Sequence, residues 1–417
     1  MSNDWDVIVI GGGPAGSTAA TVLAQAGKRV LVLEKEKFPR FHIGESLLPY
    51  NMRIFEEIGV AGKIGAAGFV KKRGAQFLMG DGSRTNRLDF SRGSFTECPA
   101  SFQVERAVFD KILLDHSRSC GAEVCEESLV TRQETTASGV TVTCRGEAGM
   151  ERTETADYLI DASGLGNFTA TRDGLRNYYD EHRKLAVFAH YEGVEMPGGE
   201  QEGDILVIRR KNSWYWMIPL AGGKTSVGLV MDQADFKRDG RKPAELFAAI
   251  NAETPAVANR MKNARQAGEI RVVTDFSYTN RSLVAPRLVR VGDAAGFIDP
   301  VFSSGVLLAM TSGRDGAMAV IDAIAKRQPL SAAMRRYEAA TWKKIRIYWE
   351  FITNFYQYHF AQLFFQPSNK FGMMCAINAV LAGRTKLPWP VRLRLRLFFF
   401  LAWLNRHIPV AKRIEVK

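Results

Sequence analysis

The chain is poor in the residues that hold small secreted or metal-binding proteins together. It has only five cysteines, an odd number spread from residue 98 to residue 375, and no Cys-x-x-Cys pair occurs among them. Such spacing suggests neither a disulfide framework nor a zinc site. We therefore predict a protein without a bound metal that works in a reducing compartment, the cytoplasm.

Long apolar segments are lacking as well. The longest uninterrupted apolar run, Leu397–Leu404, has eight residues, far short of the roughly 20 that span a bilayer. The segment Met1–Trp5 is polar and leads into a strand pattern, so no signal peptide is predicted. With 15 prolines, 37 glycines and 24% charged residues among 417, the composition excludes disordered and collagen-like chains. It predicts a globular protein of two or three domains.

Excess positive charge is confined to the end of the chain. Residues 361–417 hold ten basic side chains and one acidic one, whereas the preceding 360 residues hold 46 and 43. Three interpretations of this basic tail stay open: it docks on its own protein, lies on an anionic membrane surface, or receives an acidic acyl carrier protein. A nucleic-acid partner is not predicted, because no recognition motif accompanies the charge.

The first 34 residues follow the order strand, glycine turn, helix, strand and acid. The apolar run Asp6–Ile10 precedes Gly-Gly-Gly-Pro-Ala-Gly at 11–16, a helical pattern to Ala26 and a strand over Arg29–Leu33. The glycines permit a tight turn and close approach of the backbone to a pyrophosphate, and the helix N-terminus faces the phosphate charge. Glu34 is placed to accept hydrogen bonds from a ribose. The sequence therefore predicts a dinucleotide site.

A second group of segments selects FAD over NAD. Residues 290–296 read Arg-Val-Gly-Asp-Ala-Ala-Gly and precede a helical pattern over 305–326. Together with Val-Glu-Arg at 104–106 and Tyr-Leu-Ile-Asp-Ala-Ser-Gly at 158–164, they resemble segments of FAD-dependent oxidoreductases. The resemblance covers about residues 5–330 and implies that FAD is held by Gly11, Gly13, Ala15, Gly16, Glu34, Lys35, Ser46, Arg106, Val130, Asp293 and Gly305.

A tryptophan pair lies in the middle of the chain. Residues 214–219 read Trp-Tyr-Trp-Met-Ile-Pro on a predicted strand, which turns over 221–224 and returns over 225–231. Side chains alternate along a strand, so Trp214 and Trp216 point to the same face. By itself such a pair is more typical of a core than of a functional site.

The Trp-x-Trp-x-Ile-Pro pattern matches in full a motif of the flavin-dependent halogenases, where it lies near the flavin. Residues 40–49 resemble that family's segment over the flavin, 297–305 its halide-side segment, and 68–75 the stretch around its active-site lysine. The resemblance implies that the flavin and substrate side of the site holds Trp214, Trp216, Pro219, Pro300 and Phe302.

Two lysines compete for the role of the active-site amine. The Lys-x-Gly spacing selects Lys72, and Lys71 remains the second candidate because a Lys-Lys-Arg run is usually a solvated surface. The resemblance implies that reduced FAD, oxygen and halide give hypohalous acid, which Lys72 directs to one carbon by a hydrogen bond or a transient haloamine. Halide is expected at the backbone N–H groups of Ser304 and Gly305, at a helix N-terminus.

The expected substrate is a small electron-rich aromatic compound. In tryptophan-specific halogenases a glutamate stands at the position that matches Phe302, so the resemblance favours a phenolic or pyrrolic substrate, possibly tethered to a carrier protein. Three other functions stay open: an FAD-dependent reductase of unsaturated isoprenoid lipids, an aromatic-ring flavin monooxygenase, and a flavoprotein kept for binding or redox sensing.

The predicted architecture is α/β. A Rossmann-like FAD-binding domain of the p-hydroxybenzoate-hydroxylase-like type is expected over 1–175 and 275–330, with an inserted, mostly antiparallel sheet on the substrate side over 176–274. Residues 331–417 are expected to form a helical, basic region that packs on the core or closes the substrate cavity as a lid. No second Gly-x-Gly-x-x-Gly occurs, so a separate NAD(P)H-dependent flavin reductase is expected to supply reduced FAD.

Overall fold

The computed structural model describes residues 3–92, 98–179, 183–274, 277–368 and 370–413. Two eight-stranded sheets dominate the described part of the chain. The first is parallel at its centre. In spatial order its strands are β19 (Val284–Ala285), β20 (Leu288–Arg290), β10 (Glu151–Asp161), β1 (Trp5–Ile10), β2 (Val30–Leu33) and β7 (Glu123–Cys125), with β9 (Val140–Arg145) paired to β10 and β8 (Leu129–Thr135) paired to β9.

The second sheet is antiparallel except at one pair. Its spatial order is β16 (Arg265–Gln266), β12 (Lys184–Glu192), β15 (Lys224–Asp232), β14 (Ser213–Pro219), β13 (Ile205–Arg209), β4 (Gly74–Met79) and β5 (Thr85–Asp89), with β17 (Arg271–Thr274) paired to β12. Strand β13 runs parallel to β4 and antiparallel to β14. The sheet expected over 176–274 therefore also includes two strands from residues 74–89, while the division of the chain into domains stays a prediction.

The described residues also form two smaller sheets and thirteen α-helices. The sheets pair β11 (Arg176–Tyr178), β18 (Tyr278–Asn280) and β21 (Gly296–Phe297), and separately β3 (Val70–Lys72) and β6 (Ser101–Gln103). The helices are α1 (Pro14–Gln25), α2 (Asn51–Glu57), α3 (Ala61–Gly65), α4 (Arg106–Ser119), α5 (Phe168–Arg172), α6 (Gln233–Asp239), α7 (Pro243–Glu253), α8 (Pro255–Ala258), α9 (Gly305–Ala325), α10 (Ala332–Phe355), α11 (Tyr358–Phe364), α12 (Met373–Leu381) and α13 (Trp389–Leu404).

Small residues bring α1 and α9 unusually close together. A Cβ atom on Gly313 of α9 would lie 2.3 Å from the carbonyl oxygen of Ala15 in α1. A side chain there would force the helices apart, because cores are packed too densely to absorb it. The N-terminal turn of α1 is thereby held against the middle of α9.

The C-terminal helices pack onto the antiparallel sheet through aromatic rings. Phe77 on β4 meets Phe364 of α11 edge to face, with ring centroids 5.0 Å apart. Phe302 meets Phe355 of α10 in the same way at 5.6 Å. The expectation of a helical C-terminal region is thus confirmed, and these helices both pack on the core and cover one end of the sheet.

In the described part of the chain, no helix is long and apolar enough to cross a membrane.

Candidate active site

A cavity of about 440 Å³ is lined by residues from both large sheets. The predicted site residues that line it are Gly11, Gly13, Ala15, Glu34, Lys35, Ser46, Arg106, Val130, Trp214, Trp216, Asp293, Pro300 and Gly305. The chain thus gathers residues from seven separate stretches of sequence around one cavity. The predicted residues outside this lining are Gly16, Lys72, Pro219, Phe302 and Ser304.

The glycine turn between β1 and α1 forms one end of the cavity. Gly11 has a φ of +96°, and a Cβ there would lie 2.4 Å from the carbonyl oxygen of Ala162 on the neighbouring strand's end. A Cβ on Gly16 would lie only 1.9 Å from the carbonyl oxygen of Gly11. Both positions therefore require glycine. Gly16 acts through this packing, and the N-terminus of α1 is left facing the cavity, where a helix stabilises negative charge.

Glu34 fixes the end of β2 beside that turn. Its Oε2 accepts a 2.6 Å hydrogen bond from the N–H of Gly12, and its Oε1 accepts one of 2.8 Å from the N–H of Glu36. The side chain is buried and lines the cavity. A carboxylate held by two backbone donors at the carboxyl end of the second strand is placed as the dinucleotide-binding fold places its ribose acceptor.

Arg106 ties the segment over 40–49 to the helix α4. Its Nε and Nη2 donate to the two carboxylate oxygens of Asp110 at 2.7 and 2.9 Å, and its Nη1 donates to the carbonyl oxygen of Ile43 at 2.7 Å. Arg40 donates to the same carboxylate at 2.9 Å. Burial alone would raise the pKa of Asp110, but the two arginines outweigh it and lower that pKa. The charge-assisted pairs give this wall of the cavity a fixed shape.

Asp293 and His42 are partly buried ionisable groups in the lining. Burial raises the pKa of Asp293 to about 6, opposed by the charge of Arg106. Burial, together with the charge of Arg106, lowers the pKa of His42 to about 4. His42 is therefore neutral at neutral pH and able to act as a hydrogen-bond partner rather than a cation. The Gly-Asp turn in the sequence predicts a role for Asp293, whereas no pattern marks His42 within the segment over 40–49.

The halide-side segment leads into the N-terminus of α9. Ser303 has a φ of +55°, and Ser304 forms the N-cap position of the helix with its side chain buried. Gly305 and Ser303 line the cavity, while Ser304 lies just behind them. Asp299 accepts a 3.0 Å bond from the N–H of Val301 and so shapes the approach to this helix end.

The tryptophan pair faces the cavity from β14. Trp214, Trp216 and Ile218 alternate along the strand and all line the cavity, which leaves Pro219 on the opposite face. The two indole rings lie 5.9 Å apart between centroids. Trp216 donates a 3.1 Å bond to Ser226 Oγ on the neighbouring strand. Both rings therefore belong to the core and to the cavity wall at once.

Lys72 is buried, and its neighbour Lys71 is exposed. The two alternate on the short strand β3, so only one of them can face inward. The Lys72 side chain is 1% exposed, and its Nζ donates to Ser46 Oγ at 2.9 Å and to the carbonyl oxygen of Leu47 at 3.0 Å. Burial lowers its pKa to about 7, opposed by the charge of Asp204. At neutral pH this amine exists in both protonation states.

A second, much smaller cavity of about 10 Å³ lies beside Lys72. Its lining includes Phe302, Phe77 and Phe90, so the amine sits among aromatic rings. Ser303 lines both cavities, and Ser46, which lines the large one, bonds directly to Lys72. The space holds roughly one water molecule. Lys72 is thus separated from the large cavity by no more than one layer of side chains.

Two further residues of the site were not predicted from the sequence. Tyr356, just after α10, accepts a 2.8 Å bond from Trp214 Nε1 and donates one of 2.5 Å to Asp299 Oδ2. Glu45 Oε1 pairs with His190 Nε2 at 2.7 Å, and Glu45 lines the cavity. No local pattern marks Tyr356, whereas Glu45 lies within the segment over 40–49. Among the described residues, no group of three His, Cys, Asp or Glu side chains could hold a metal ion.

Comparisons with known proteins agree with this geometry. The model of the FAD binding domain family matches residues 4–329. The chlorinase of 1H-pyrrole-2-carbonyl-peptidyl-carrier protein from Pseudomonas fluorescens is 31% identical, over 85% of this chain and 84% of the relative. A flavoprotein/dehydrogenase from Cytophaga hutchinsonii superimposes with a TM-score of 0.88 at 30% identity, over 96% of this chain and 98% of that chain. The flavin-dependent brominase Bmp2 does so at 0.84 and 27%, over 95% and 98%.

These matches decide between the functions that the sequence left open. FAD is the cofactor, and halogenation is supported over reduction of isoprenoid lipids and over ring hydroxylation. The predicted Rossmann-like FAD-binding fold is confirmed as well. Because the family model spans most of its length and a carrier-dependent chlorinase aligns with 85% of it, the chain belongs to the flavin-dependent halogenases.

Proposed function

We propose that this halogenase uses reduced FAD, oxygen and a halide ion to halogenate an electron-rich pyrrolic or phenolic substrate, through hypohalous acid and the amine of Lys72. The observation that carries the proposal is the position of that amine. It is buried among aromatic rings, yet it bonds to Ser46, which lines the large cavity. An oxidised halogen formed in the large cavity would reach the amine across one side chain.

The properties of Lys72 suit the delivery of a halogen. Hypohalous acid is small and reacts with many groups, so a single fixed partner is needed to direct it to one carbon. Burial lowers the pKa of Lys72 to about 7, so its neutral form, whose nitrogen lone pair can bind the halogen, becomes accessible near neutral pH. Ser46 and the carbonyl of Leu47 hold the nitrogen in place.

The lining of the large cavity suits FAD. The N-terminus of α1 and the turn at Gly11 would face the pyrophosphate, Glu34 the ribose, and Asp293 the chain that leads to the flavin ring. When bound, reduced FAD supplies the two electrons with which oxygen and halide become hypohalous acid and water. Because the sequence holds a single Gly-x-Gly-x-x-Gly, the proposal includes a separate NAD(P)H-dependent flavin reductase as the source of those electrons.

The N-terminus of α9 is the proposed halide site. The backbone N–H groups of Ser304 and Gly305 belong to the first turn of this 21-residue helix, where the helix dipole favours an anion. Gly305 lines the large cavity beside Pro300. Trp214 lines the same cavity and adds apolar surface to its wall.

A carrier-tethered substrate is proposed for two reasons. The chlorinase from Pseudomonas fluorescens is named for a pyrrole-2-carbonyl group on a peptidyl carrier protein. In addition, Phe302 stands where tryptophan-specific halogenases have a glutamate, and it lies against Phe351 and Phe355 in an apolar cluster. Such a pocket favours a ring that carries its own activating N–H or hydroxyl group. The few, widely spaced cysteines agree with a cytoplasmic enzyme.

The test compares variants at two neighbouring lysines, the exposed Lys71 and the buried Lys72. The purified protein is loaded with FAD and supplied with a flavin reductase, NADH, oxygen, bromide and pyrrole-2-carbonyl on a peptidyl carrier protein. We expect Lys71→Ala to brominate at the wild-type rate and Lys72→Ala to lose at least about 100-fold. FAD content, read from the flavin absorbance, is expected to be equal in all three proteins. Equal bromination by Lys72→Ala and the wild type would contradict the proposed role of this amine.

A further inference from the structure

The last helix, α13, buries one face and exposes another that is rich in aromatic side chains. Its inner residues Val391, Leu395, Phe398 and Ala402 are buried in the same core cluster as α11 and α12. Its outer face shows Trp389 at 66%, Leu393 at 51%, Phe400 at 53% and Trp403 at 54% exposure. Intervals of four, seven and three residues place these four on one side of the helix.

This outer face is strongly basic. The exposed arginines Arg392 and Arg396 are interleaved with its apolar residues. Arg406 lies two residues after the helix ends at Leu404. Residues 351–413 contain nine basic side chains and no acidic one. The face therefore combines large apolar side chains with an excess of positive charge, of which Arg396 is partly balanced by Glu350 of α10. Trp and Arg are the residues most enriched among those that dominate protein–protein binding energies.

Helix α12 connects α13 to the residues around Lys72. Helix α13 packs on α12, and the last residue of α12, Leu381, lines the small cavity beside Lys72. Helices pack with axes 8–10 Å apart, so this face is about two helix layers, on the order of 20 Å, from that cavity. An extended phosphopantetheine arm can cross such a distance.

We propose that the outer face of α13, defined by Trp389, Leu393, Arg396, Phe400 and Trp403, docks an acidic carrier protein that presents its thioester-bound aromatic substrate to Lys72. The proposal rests on the proposed function. Opposite charges steer the two proteins together, and the exposed tryptophans and arginines supply the contacts that hold them.

The arrangement of these residues also distinguishes a carrier protein from a membrane as the partner of α13. A helix that lies in a membrane interface keeps its arginines on one side and a continuous apolar face on the other. In α13 the continuous apolar face is buried in the protein, and Arg396 lies within the exposed stripe itself. This arrangement favours a folded, acidic protein surface over lipid.

The experiment compares two charge reversals in the full-length, FAD-loaded enzyme. Arg392→Glu/Arg396→Glu reverses two charges on the outer face of α13. Arg335→Glu/Arg336→Glu reverses two exposed charges on the first turns of α10 and serves as the matched control. The substrate is pyrrole-2-carbonyl loaded on a purified acidic peptidyl carrier protein, and bromination is followed by mass spectrometry. Monochlorodimedone measures the activity that needs no docking.

We expect the α13 reversal to raise KM for the loaded carrier at least tenfold with kcat unchanged, and the α10 reversal to leave KM unchanged. Bromination of monochlorodimedone is expected to be equal in all three proteins. Salt between 50 and about 300 mM is expected to raise the wild-type KM and to have less effect on the α13 reversal. The variant Trp403→Ala, which keeps every charge, is expected to raise the same KM.

Three results would overturn the docking site. The first is an unchanged KM in both α13 variants. The second is a wild-type enzyme that brominates monochlorodimedone but not the loaded carrier. The third is binding of the wild type to phosphatidylserine vesicles that only the α13 variants lose, while their KM for the carrier stays at the wild-type value. Failure of the proposed function looks different, because the wild-type enzyme would then brominate neither the trap nor the loaded carrier.

Discussion

Trp214 and Tyr356, 142 positions apart in the chain, are joined by a 2.8 Å hydrogen bond from the indole Nε1 to the phenol oxygen. The same phenol donates to Asp299 at 2.5 Å. One side chain at the end of α10 therefore connects the tryptophan pair, the segment that leads to the α9 N-terminus, and the C-terminal helices. The halide-side segment and the helices that cover the site are mechanically linked through this residue.

Replacing Tyr356 by Phe is expected to loosen this link. The variant leaves the buried carboxylate of Asp299 and the N–H of Trp214 without this partner, which costs about 1–3 kcal/mol in the free energy of unfolding. Burial already raises the pKa of Asp299, and loss of the donor would raise that pKa further. Thermal unfolding and bromination rates measure both effects. Tyr358→Phe, at a half-exposed position two residues away, is the control, and equal stability of the two variants would contradict the link.

Glu34 offers a test of the cofactor end of the cavity. Glu34→Ala removes the acceptor for Gly12 N–H and the proposed acceptor for the ribose, so FAD is expected to bind more weakly by about 1.5–3 kcal/mol. The flavin-to-protein absorbance ratio after gel filtration measures the retained cofactor. Glu123→Ala, on the adjacent strand β7 but exposed, is expected to keep it. Wild-type retention by Glu34→Ala would show that the carboxylate does not hold the nucleotide.

The sequence predicted those features whose determinants are local. Gly11, Gly16 and Glu34 belong to one strand–turn–helix–strand unit, in which the spacing of the residues itself defines the geometry. The choice of Lys72 over Lys71 needed more than the strand pattern, because alternation says that the two face opposite ways but not which one faces inward. That choice depends on where β3 sits, and on Ser46, 26 residues earlier.

Long-range pairings lay beyond the reach of the sequence. The parallel pairing of β4 with β13 joins segments about 130 residues apart, and short apolar strands carry no signal that identifies their partners. Tyr356 belongs to a run rich in aromatic residues, any of which would serve as core. Its role follows only from the place where α10 ends, which depends on the packing of Phe351 and Phe355 against Phe302.

The buried amine is expected to affect stability as a function of pH. Burial lowers the pKa of Lys72 to about 7 in the folded protein, against 10.5 for an ordinary solvated lysine. Between these values the unfolded chain binds a proton that the folded chain does not, so the free energy of unfolding rises with pH in this window. Lys72→Met is expected to lose up to roughly 1.4 kcal/mol of that rise per pH unit. Denaturant unfolding at pH 7, 8 and 9 measures the slopes, and Lys71→Met is expected to keep the wild-type slope.

The rate of halogenation as a function of pH tests whether the lone pair of Lys72 is the acting form. If a transient haloamine carries the halogen, only the neutral amine is active, so the rate of carrier-bound substrate bromination is expected to rise through pH 7 and level off near pH 8. The ratio of the wild-type rate to that of Lys72→Ala at each pH removes effects on the flavin and on hypohalous acid itself. Lys72→Arg, which stays protonated, is expected to be inactive throughout. A ratio that falls across the same range would instead assign the role to the ammonium group as a hydrogen-bond donor, with Ser46 and Leu47 as its fixed acceptors.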